Sequence, residues 1–184
     1  MFYAHEMEAI SMKKVISLLS FIVVMCFAAV SFANYPSHLN GDSNFILVDG
    51  HMGVAWYVDR SSLNVQKYAP PEYIIAVNVV SADSVIGDER DFYSGGQGKI
   101  TGVKTYRFYY NWNTKRMYHD KNGTWDYLDP WGSWAATGIR MPAGEMAFYL
   151  AYNLKFYGTM QKYSEYSKSY YGPFSEDFYR NAQL

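Results

Sequence analysis

Hydrophobic positions occur along most of the chain in short runs or in alternation with polar ones, a pattern typical of β-strands. Residues 45–50 (FILVDG) and 54–59 (VAWYVD) are separated by a glycine-containing turn and predict a first hairpin. The β-branched run at 73–81 (YIIAVNVVS) predicts a central, buried strand. Residues 103–112 alternate. This predicts one face with Val103, Thr105, Arg107 and Tyr109, and another with Lys104, Tyr106, Phe108 and Tyr110.

Turn-forming residues separate these predicted strands. Residues 60–72, which contain Pro70-Pro71, predict a loop or an edge, and the acidic, glycine-rich stretch 82–102 predicts a long mobile loop. Asn122-Gly123 lies between two strand-like runs and predicts a tight hairpin.

One helix is predicted over 141–157, because Pro142 lies near its first position and Gly158 lies just beyond its end. We therefore expect an α+β fold, in which a mostly antiparallel sheet of about five or six strands carries one main C-terminal helix on one face. The residues expected on the side covered by the helix are Ile74, Ala76, Phe108, Leu150 and Leu154, or their neighbours.

The amino-terminal residues have the features of a signal peptide. Lys13 and Lys14 precede an apolar run at 15–30, and Ser31-Phe32-Ala33 is a small-x-small cleavage site. The run is shorter than the roughly 20 residues that span a bilayer, so no integral membrane segment is expected after cleavage. Glu6 and Glu8 are negatively charged, whereas the segment before the apolar run of a signal peptide is positively charged. We therefore expect translation to start at Met12 and residues 1–11 not to belong to the protein.

The predicted organisation is therefore a signal peptide at 1–33, a flexible lead-in at 34–44, a single domain at 45–158 and a polar tail at 159–184. Within the tail, Ser175 is expected to cap a last helical turn. The protein is predicted to be exported, to the periplasm, the cell surface or the medium.

The cysteine and charge content of the segment after residue 33 argues against several kinds of site and partner. Cys26 is the only cysteine and would be removed with the signal peptide, so no disulfide or thiolate site is expected in the mature protein. A lipoprotein site is also not expected, because the residue before Cys26 is Met25 and not a small residue. Removing Lys13, Lys14, Glu6 and Glu8 from totals of 16 basic and 17 acidic residues leaves 14 and 15. This near-neutral balance argues against nucleic acid and anionic lipid as partners.

No catalytic or metal-binding motif is found. His38, His51 and His119 lie outside any H-E-x-x-H pattern, and the segment with Asp120, Asn122 and Asp126 lacks the residue order of a calcium loop. Asp49 and His51, at positions i and i+2 of a strand, share a face and can meet. We predict a non-enzyme without a cofactor or metal.

The aromatic residues give the strongest indication of binding. The mature segment keeps 18 Tyr, 5 Trp and 7 Phe after Tyr3, Phe2, Phe21, Phe27 and Phe32 leave with the leader. Such rings suit strands and cores, and Tyr and Trp also suit binding surfaces. The candidate binding residues are Trp56, Tyr109, Trp112, Trp125 and Trp131.

Residues 55–63 (AWYVDRSSL), the aromatic stretch 104–128 and the proline-led helix together resemble the surface-adhesin protein E family of small exported bacterial domains. The resemblance covers 45–158 and is carried by Trp56, Tyr57, Asp59, Ser61 and Trp125. It implies an α+β domain that binds host proteins or envelope components without catalysis. The lipid anchor and cysteine pairing that it implies for some members are not available here.

Three functions remain open at this point. An adhesin-type module would show a contiguous exposed patch of Tyr and Trp. A periplasmic inhibitor, assembly factor or glycan-binding protein would show a groove lined by Trp131 and Trp134. A hydrolase would bring His51 or His119 to an acid and a nucleophile. The expected partner is a protein or a glycan.

Overall fold

A computed structural model describes residues 35–183 and shows a six-stranded antiparallel sheet whose strands follow one another in chain order. The strands are β1 (Phe45–His51), β2 (Val54–Ala69), β3 (Glu72–Ser84), β4 (Gly98–Asn111), β5 (Arg116–Lys121) and β6 (Thr124–Leu128). A separate hairpin comprises β7 (Lys162–Ser164) and β8 (Ser169–Tyr171). The helices are α1 (Glu89–Tyr93), α2 (Trp134–Thr137), α3 (Arg140–Tyr152) and α4 (Glu176–Arg180), with 3-10 turns at Leu39–Gly41 and Tyr157–Thr159.

The predicted antiparallel sheet is confirmed, and the chain is mostly β because its helices are short apart from α3. The predicted signal peptide and its cleavage site lie outside the described residues. Within 35–183, no helix is long and apolar enough to cross a membrane.

The predicted Asn-Gly hairpin is present between β5 and β6. Asn122 and Gly123 both have positive φ angles, 57° and 85°, as a two-residue turn of this kind requires. The N–H of Gly123 donates to Asp120 Oδ1 at 2.6 Å, which fixes the turn further. Local sequence chemistry therefore sets the pairing of these two strands.

One face of the sheet, here called the helix face, packs against α3. Its buried side chains include Val58, Ile75, Val77, Val79, Phe108, Tyr110 and Met117, which form one core with Met146, Ala147 and Phe148 of α3. The opposite face is here called the open face. At one end of the open face, Tyr57, Val80 and Ala82 are covered by Tyr35, Leu39 and Phe92, which form a second, smaller core.

The predicted set of helix-facing residues is partly wrong. Ile75 pairs with Phe108, so the odd-numbered residues of β3 point toward α3, whereas Ile74 and Ala76 lie on the open face. The run 73–81 is apolar on both sides, and its periodicity therefore does not distinguish the faces. Leu150 is half-buried against the core, but Leu154 is 48% exposed because it lies beyond the end of α3.

Helix α3 is shorter than predicted. Asn153 adopts a left-handed conformation (φ 54°, ψ 34°), and its N–H donates to the carbonyl of Tyr149 at 2.7 Å. Asparagine tolerates this conformation better than most residues, so the helix ends here and not at Gly158.

Two predicted loops are largely regular structure. Residues 60–69 extend β2 with register shifts between Asp59 and Asn64 and again between Val65 and Lys67, which the polar sequence concealed. The predicted mobile loop at 82–102 contains the end of β3, helix α1 and the start of β4. Phe92 of α1 is fully buried, and this burial holds the segment against the open face.

The chain ends also contribute to the fold. Tyr35 and Leu39 are buried, so the predicted lead-in is part of the second core. The predicted polar tail forms β7, β8 and α4, and Tyr179 of α4 is buried in the main core. Ser175 immediately precedes α4 as expected, although its side chain makes no capping hydrogen bond.

A buried carboxylate connects α3 to this carboxyl-terminal segment. Glu145 is fully buried and accepts hydrogen bonds from the N–H groups of Phe156 (2.8 Å), Tyr157 (2.7 Å) and Gly158 (3.1 Å) and from the Tyr179 hydroxyl (2.7 Å). Burial raises the pKa of Glu145, and these four donors act in the opposite direction. The carboxylate thus fixes residues 156–158 and α4 against the helix.

Candidate functional site

Four aromatic side chains form a continuous row on the open face, here called the aromatic ladder: Tyr109, Tyr118, Tyr127 and Trp125. Tyr109 of β4 pairs with Tyr118 of β5, which pairs with Tyr127 of β6, so strand register places the three tyrosines side by side. Their ring centroids are 5.6 and 5.5 Å apart, and Trp125 lies 5.6 Å from Tyr109. Directly opposed rings of this kind stabilise a sheet and also create a wide apolar surface.

The ladder is open to solvent. Tyr127 is 45% exposed, and the other three rings are half-buried. Exposed aromatic rings grouped on one sheet face differ from scattered surface residues, because a contiguous patch is characteristic of an interaction site.

Charged and polar groups border the ladder and are held in place by one another. The guanidinium of Arg107 lies 5.1 Å from the Trp125 ring, its Nε donates to Gln66 at 2.6 Å, and its Nη1 donates to Asp120 at 3.1 Å. Hydrogen bonds from Gly123 and Arg107 lower the pKa of Asp120. Asp120 is therefore ionised at neutral pH.

A second carboxylate lies at the Tyr109 end of the ladder. Glu72 accepts hydrogen bonds from Lys67 Nζ at 2.6 Å and from the Tyr109 hydroxyl at 2.9 Å, and both donors lower its pKa. The ladder therefore presents aromatic surface between fixed, ionised groups. This arrangement can bind a partner through apolar area and directional hydrogen bonds together.

On the helix face, at the amino-terminal end of α3, His119 and Arg140 meet at a groove. His119 is 4% exposed; its Nδ1 lies 3.1 Å from the Asp120 carbonyl, which can only accept, so Nδ1 carries the proton. Its Nε2 then accepts from Arg140 Nη1 at 2.9 Å, and Asp126 Oδ2 lies 3.4 Å away. Arg140 also donates to the carbonyls of Thr137 and Ala136.

Asp49 and His51 do meet, with 4.0 Å between Oδ1 and Nδ1. Both contact Trp134, whose indole N–H donates to Asp49 Oδ2 at 2.8 Å and whose ring lies 4.5 Å from the His51 ring. Trp56 packs against His51 at 4.9 Å, so the pair belongs to an aromatic cluster.

The five predicted binding residues therefore occupy four separate places. Tyr109 and Trp125 lie together in the ladder, and Trp56 lies in the cluster with His51. Trp112 stacks on Phe148 of the main core, at 5.8 Å between centroids and 16° between planes, so it supports folding. Trp131 contacts Tyr171 of β8 and the ammonium of Lys162.

The structure does not show a groove lined by both Trp131 and Trp134 in the described part of the chain. Trp134 lines a cavity of about 230 Å³ with Asp49, Met141 and Phe178, whereas Trp131 is not among its lining residues.

Sequence reasoning missed Tyr118 and Tyr127, although a signal for them was available. The Asn122-Gly123 turn fixes the register of β5 and β6, and that register makes Tyr118 and Tyr127 opposed neighbours. Arg140 had no comparable signal in the sequence, because only the position of α3 over the sheet brings it to His119.

Among residues 35–183, no group of three or more His, Cys, Asp or Glu side chains is arranged to hold a metal ion. The chain matches no protein-family model, and searches of curated proteins and of solved structures gave no match either.

Proposed function

We propose that this protein is an exported, non-catalytic binding module of adhesin type, which binds a host or envelope macromolecule, protein or glycan, through the aromatic ladder. The observation that carries the proposal is a row of four adjoining rings, one exposed and three half-buried, bordered by the fixed charges of Glu72, Arg107 and Asp120.

A partner that covers such a surface buries aromatic area. Tyr and Trp bury large areas at low conformational cost and dominate the energetics of many interfaces. Here the rings support one another across strands and the bordering side chains are already hydrogen-bonded, so little ordering is needed when a partner arrives.

The resemblance to the surface-adhesin protein E family supports the same proposal. It implies an α+β domain with one main helix on an antiparallel sheet, a role that α3 would have here, and binding to host proteins or envelope components. Export through the predicted signal peptide would bring the domain to such partners.

A periplasmic inhibitor, assembly factor or glycan-binding protein is the alternative. The observation that favours it is the cavity beside Trp134, together with the packing of Trp56 and His51 against that residue. The two functions differ in where the domain resides. Protease treatment of intact producer cells distinguishes them: rapid loss of the protein, with a periplasmic marker intact, agrees with the adhesin, and protection contradicts it.

The ladder itself is tested by the double variant Tyr118→Ala/Tyr127→Ala. The purified protein is assayed on immobilised laminin, fibronectin, collagen and peptidoglycan. Removing two ladder rings should weaken the strongest of these interactions by about 30-fold, the effect of losing about 2 kcal/mol of binding free energy. The matched control is Tyr166→Ala/Tyr170→Ala, which removes two exposed tyrosines outside the ladder and should bind as wild type does. Equal binding by both double variants, or no binding by the wild type to any of these surfaces, would contradict the proposal.

A further inference from the structure

A second surface, on the helix face, has the features of a ligand site. At the amino-terminal end of α3 a groove of about 550 Å³ is lined by Lys104, Tyr106, His119, Asp120, Lys121 and Arg140; it is here called the basic groove. A smaller groove of about 240 Å³ continues from it, shares Lys104 and Tyr106, and extends to Trp56. The two grooves together are within the size range of small-molecule sites.

The basic groove has three cationic side chains without carboxylate partners. Within residues 35–183, Lys104, Lys121 and Arg140 form no ion pair, whereas Lys67, Arg107 and Lys155 elsewhere on the surface each pair with a carboxylate. Two carboxylates are close by: Asp120 is already bound to Arg107 on the open face, and Asp126 Oδ2 lies 3.4 Å from His119 Nε2, the nitrogen that contacts Arg140. Three cations therefore face one carboxylate that is not bound to Arg107. The groove therefore carries net positive charge in a protein that is close to neutral overall.

Three hydrogen bonds fix the orientation of the Arg140 guanidinium. Its Nε, Nη1 and Nη2 donate to the carbonyl of Thr137, to Nε2 of His119 and to the carbonyl of Ala136. These contacts fix the plane of the guanidinium and leave two of its five N–H bonds for another acceptor. A fixed guanidinium suits a carboxylate or phosphate, which can accept two hydrogen bonds at once.

Aromatic rings lie next to these charges. Lys104 Nζ is 4.9 Å from the centre of the Tyr106 ring, and Trp56 lines the adjoining groove. The face of an aromatic ring is electron-rich and attracts the weakly positive C–H bonds on one side of a sugar ring. Ser81, which lines the adjoining groove, adds a hydroxyl group that can bond a sugar hydroxyl.

We infer that the basic groove binds an acidic saccharide, a sugar that carries a carboxylate or a phosphate. Its anionic group lies against Arg140, Lys104 and Lys121, and its ring lies toward Tyr106 and Trp56. The side chains proposed to hold the saccharide lie on the helix face, opposite the rings of the aromatic ladder, and Asp120 is the residue that borders both sites.

Calorimetry with paired saccharides tests the inference. Sialyllactose is compared with lactose, tetragalacturonate with galactotetraose, and galactose 6-phosphate with galactose, with inorganic phosphate as the free anion. At least one acidic sugar should bind about tenfold more tightly than its neutral counterpart and than phosphate, and added salt should weaken it. The pair that responds identifies the source of the negative charge.

The double variant Lys104→Gln/Lys121→Gln should reduce that affinity by about tenfold or more. The matched control Lys99→Gln/Lys168→Gln removes the same charge from exposed lysines outside both grooves and should leave binding unchanged. Tyr118→Ala/Tyr127→Ala should also leave it unchanged, which separates this site from the ladder. Equal affinity for acidic and neutral sugars in every pair, phosphate binding as tightly as the sugars, or equal losses in both lysine variants would overturn the inference.

Discussion

Replacement of Glu145 by glutamine tests the structural role of the buried carboxylate. The substitution preserves the shape of the side chain but converts one acceptor oxygen into an NH₂ group, which can only donate. If Oε2 is replaced, the N–H of Tyr157, which donates to it at 2.7 Å, loses its acceptor. The three bonds to Oε1 remain, without the added strength of a charged acceptor.

The expected cost is about 3 kcal/mol, since a buried donor left without a partner costs about 1–3 kcal/mol and the remaining bonds weaken as well. A domain of this size has a total stability of about 5–15 kcal/mol, so the loss is a large part of it. In urea unfolding, the midpoint should fall by about 1–2 M for an m-value near 2 kcal/mol/M.

Glu176→Gln is the matched control. Glu176 forms an ion pair with Lys155, but its side chain is 80% exposed, so its removal should cost less than about 1 kcal/mol. If Glu145→Gln shifts the urea midpoint no more than Glu176→Gln does, the proposed role of Glu145 in fixing residues 156–158 and α4 is wrong.

Three further predictions concern other parts of the fold. Phe148→Ala should cost about 3–5 kcal/mol in urea unfolding, because it removes a buried ring at the centre of the main core; a loss below 1 kcal/mol would contradict that packing. Gly158→Ala should lower the free energy of unfolding by about 1–3 kcal/mol, because the added methyl group would overlap the Tyr179 hydroxyl; unchanged thermal stability would contradict that contact. Lys67→Met should raise the pKa of Glu72 toward its ordinary value, measured by carbon NMR of the carboxyl group, because the Lys67 hydrogen bond is the largest cause of the lowering; an unchanged titration midpoint would exclude that cause.

Several features of the fold could be read from the sequence because their causes are local. The alternation at 103–112 assigns Phe108 and Tyr110 to the face opposite Tyr109, as the structure has it. The Asn122-Gly123 turn needs only the tolerance of these two residues for positive φ.

The candidate sites were less predictable, because they are formed by residues far apart in the chain. Trp112 and Trp125 look alike as exposed-strand aromatics in sequence, yet one stacks in the core and the other on the open face. Arg140 and His119 lie on different elements, and only the packing of α3 brings them together.

The sequence by itself determined where the most apolar strand segments lie, where the tightest hairpin turns and roughly where α3 lies, since propensity and turn chemistry act over a few residues. It did not show the outer half of β2, the start of β4, or β7 and β8. Tertiary structure decided which side of β3 faces α3, because both sides of that strand are apolar and only packing distinguishes them. It also decided that Tyr35 and Tyr179 are core residues, because polar surroundings in sequence concealed rings that become buried only when distant segments meet.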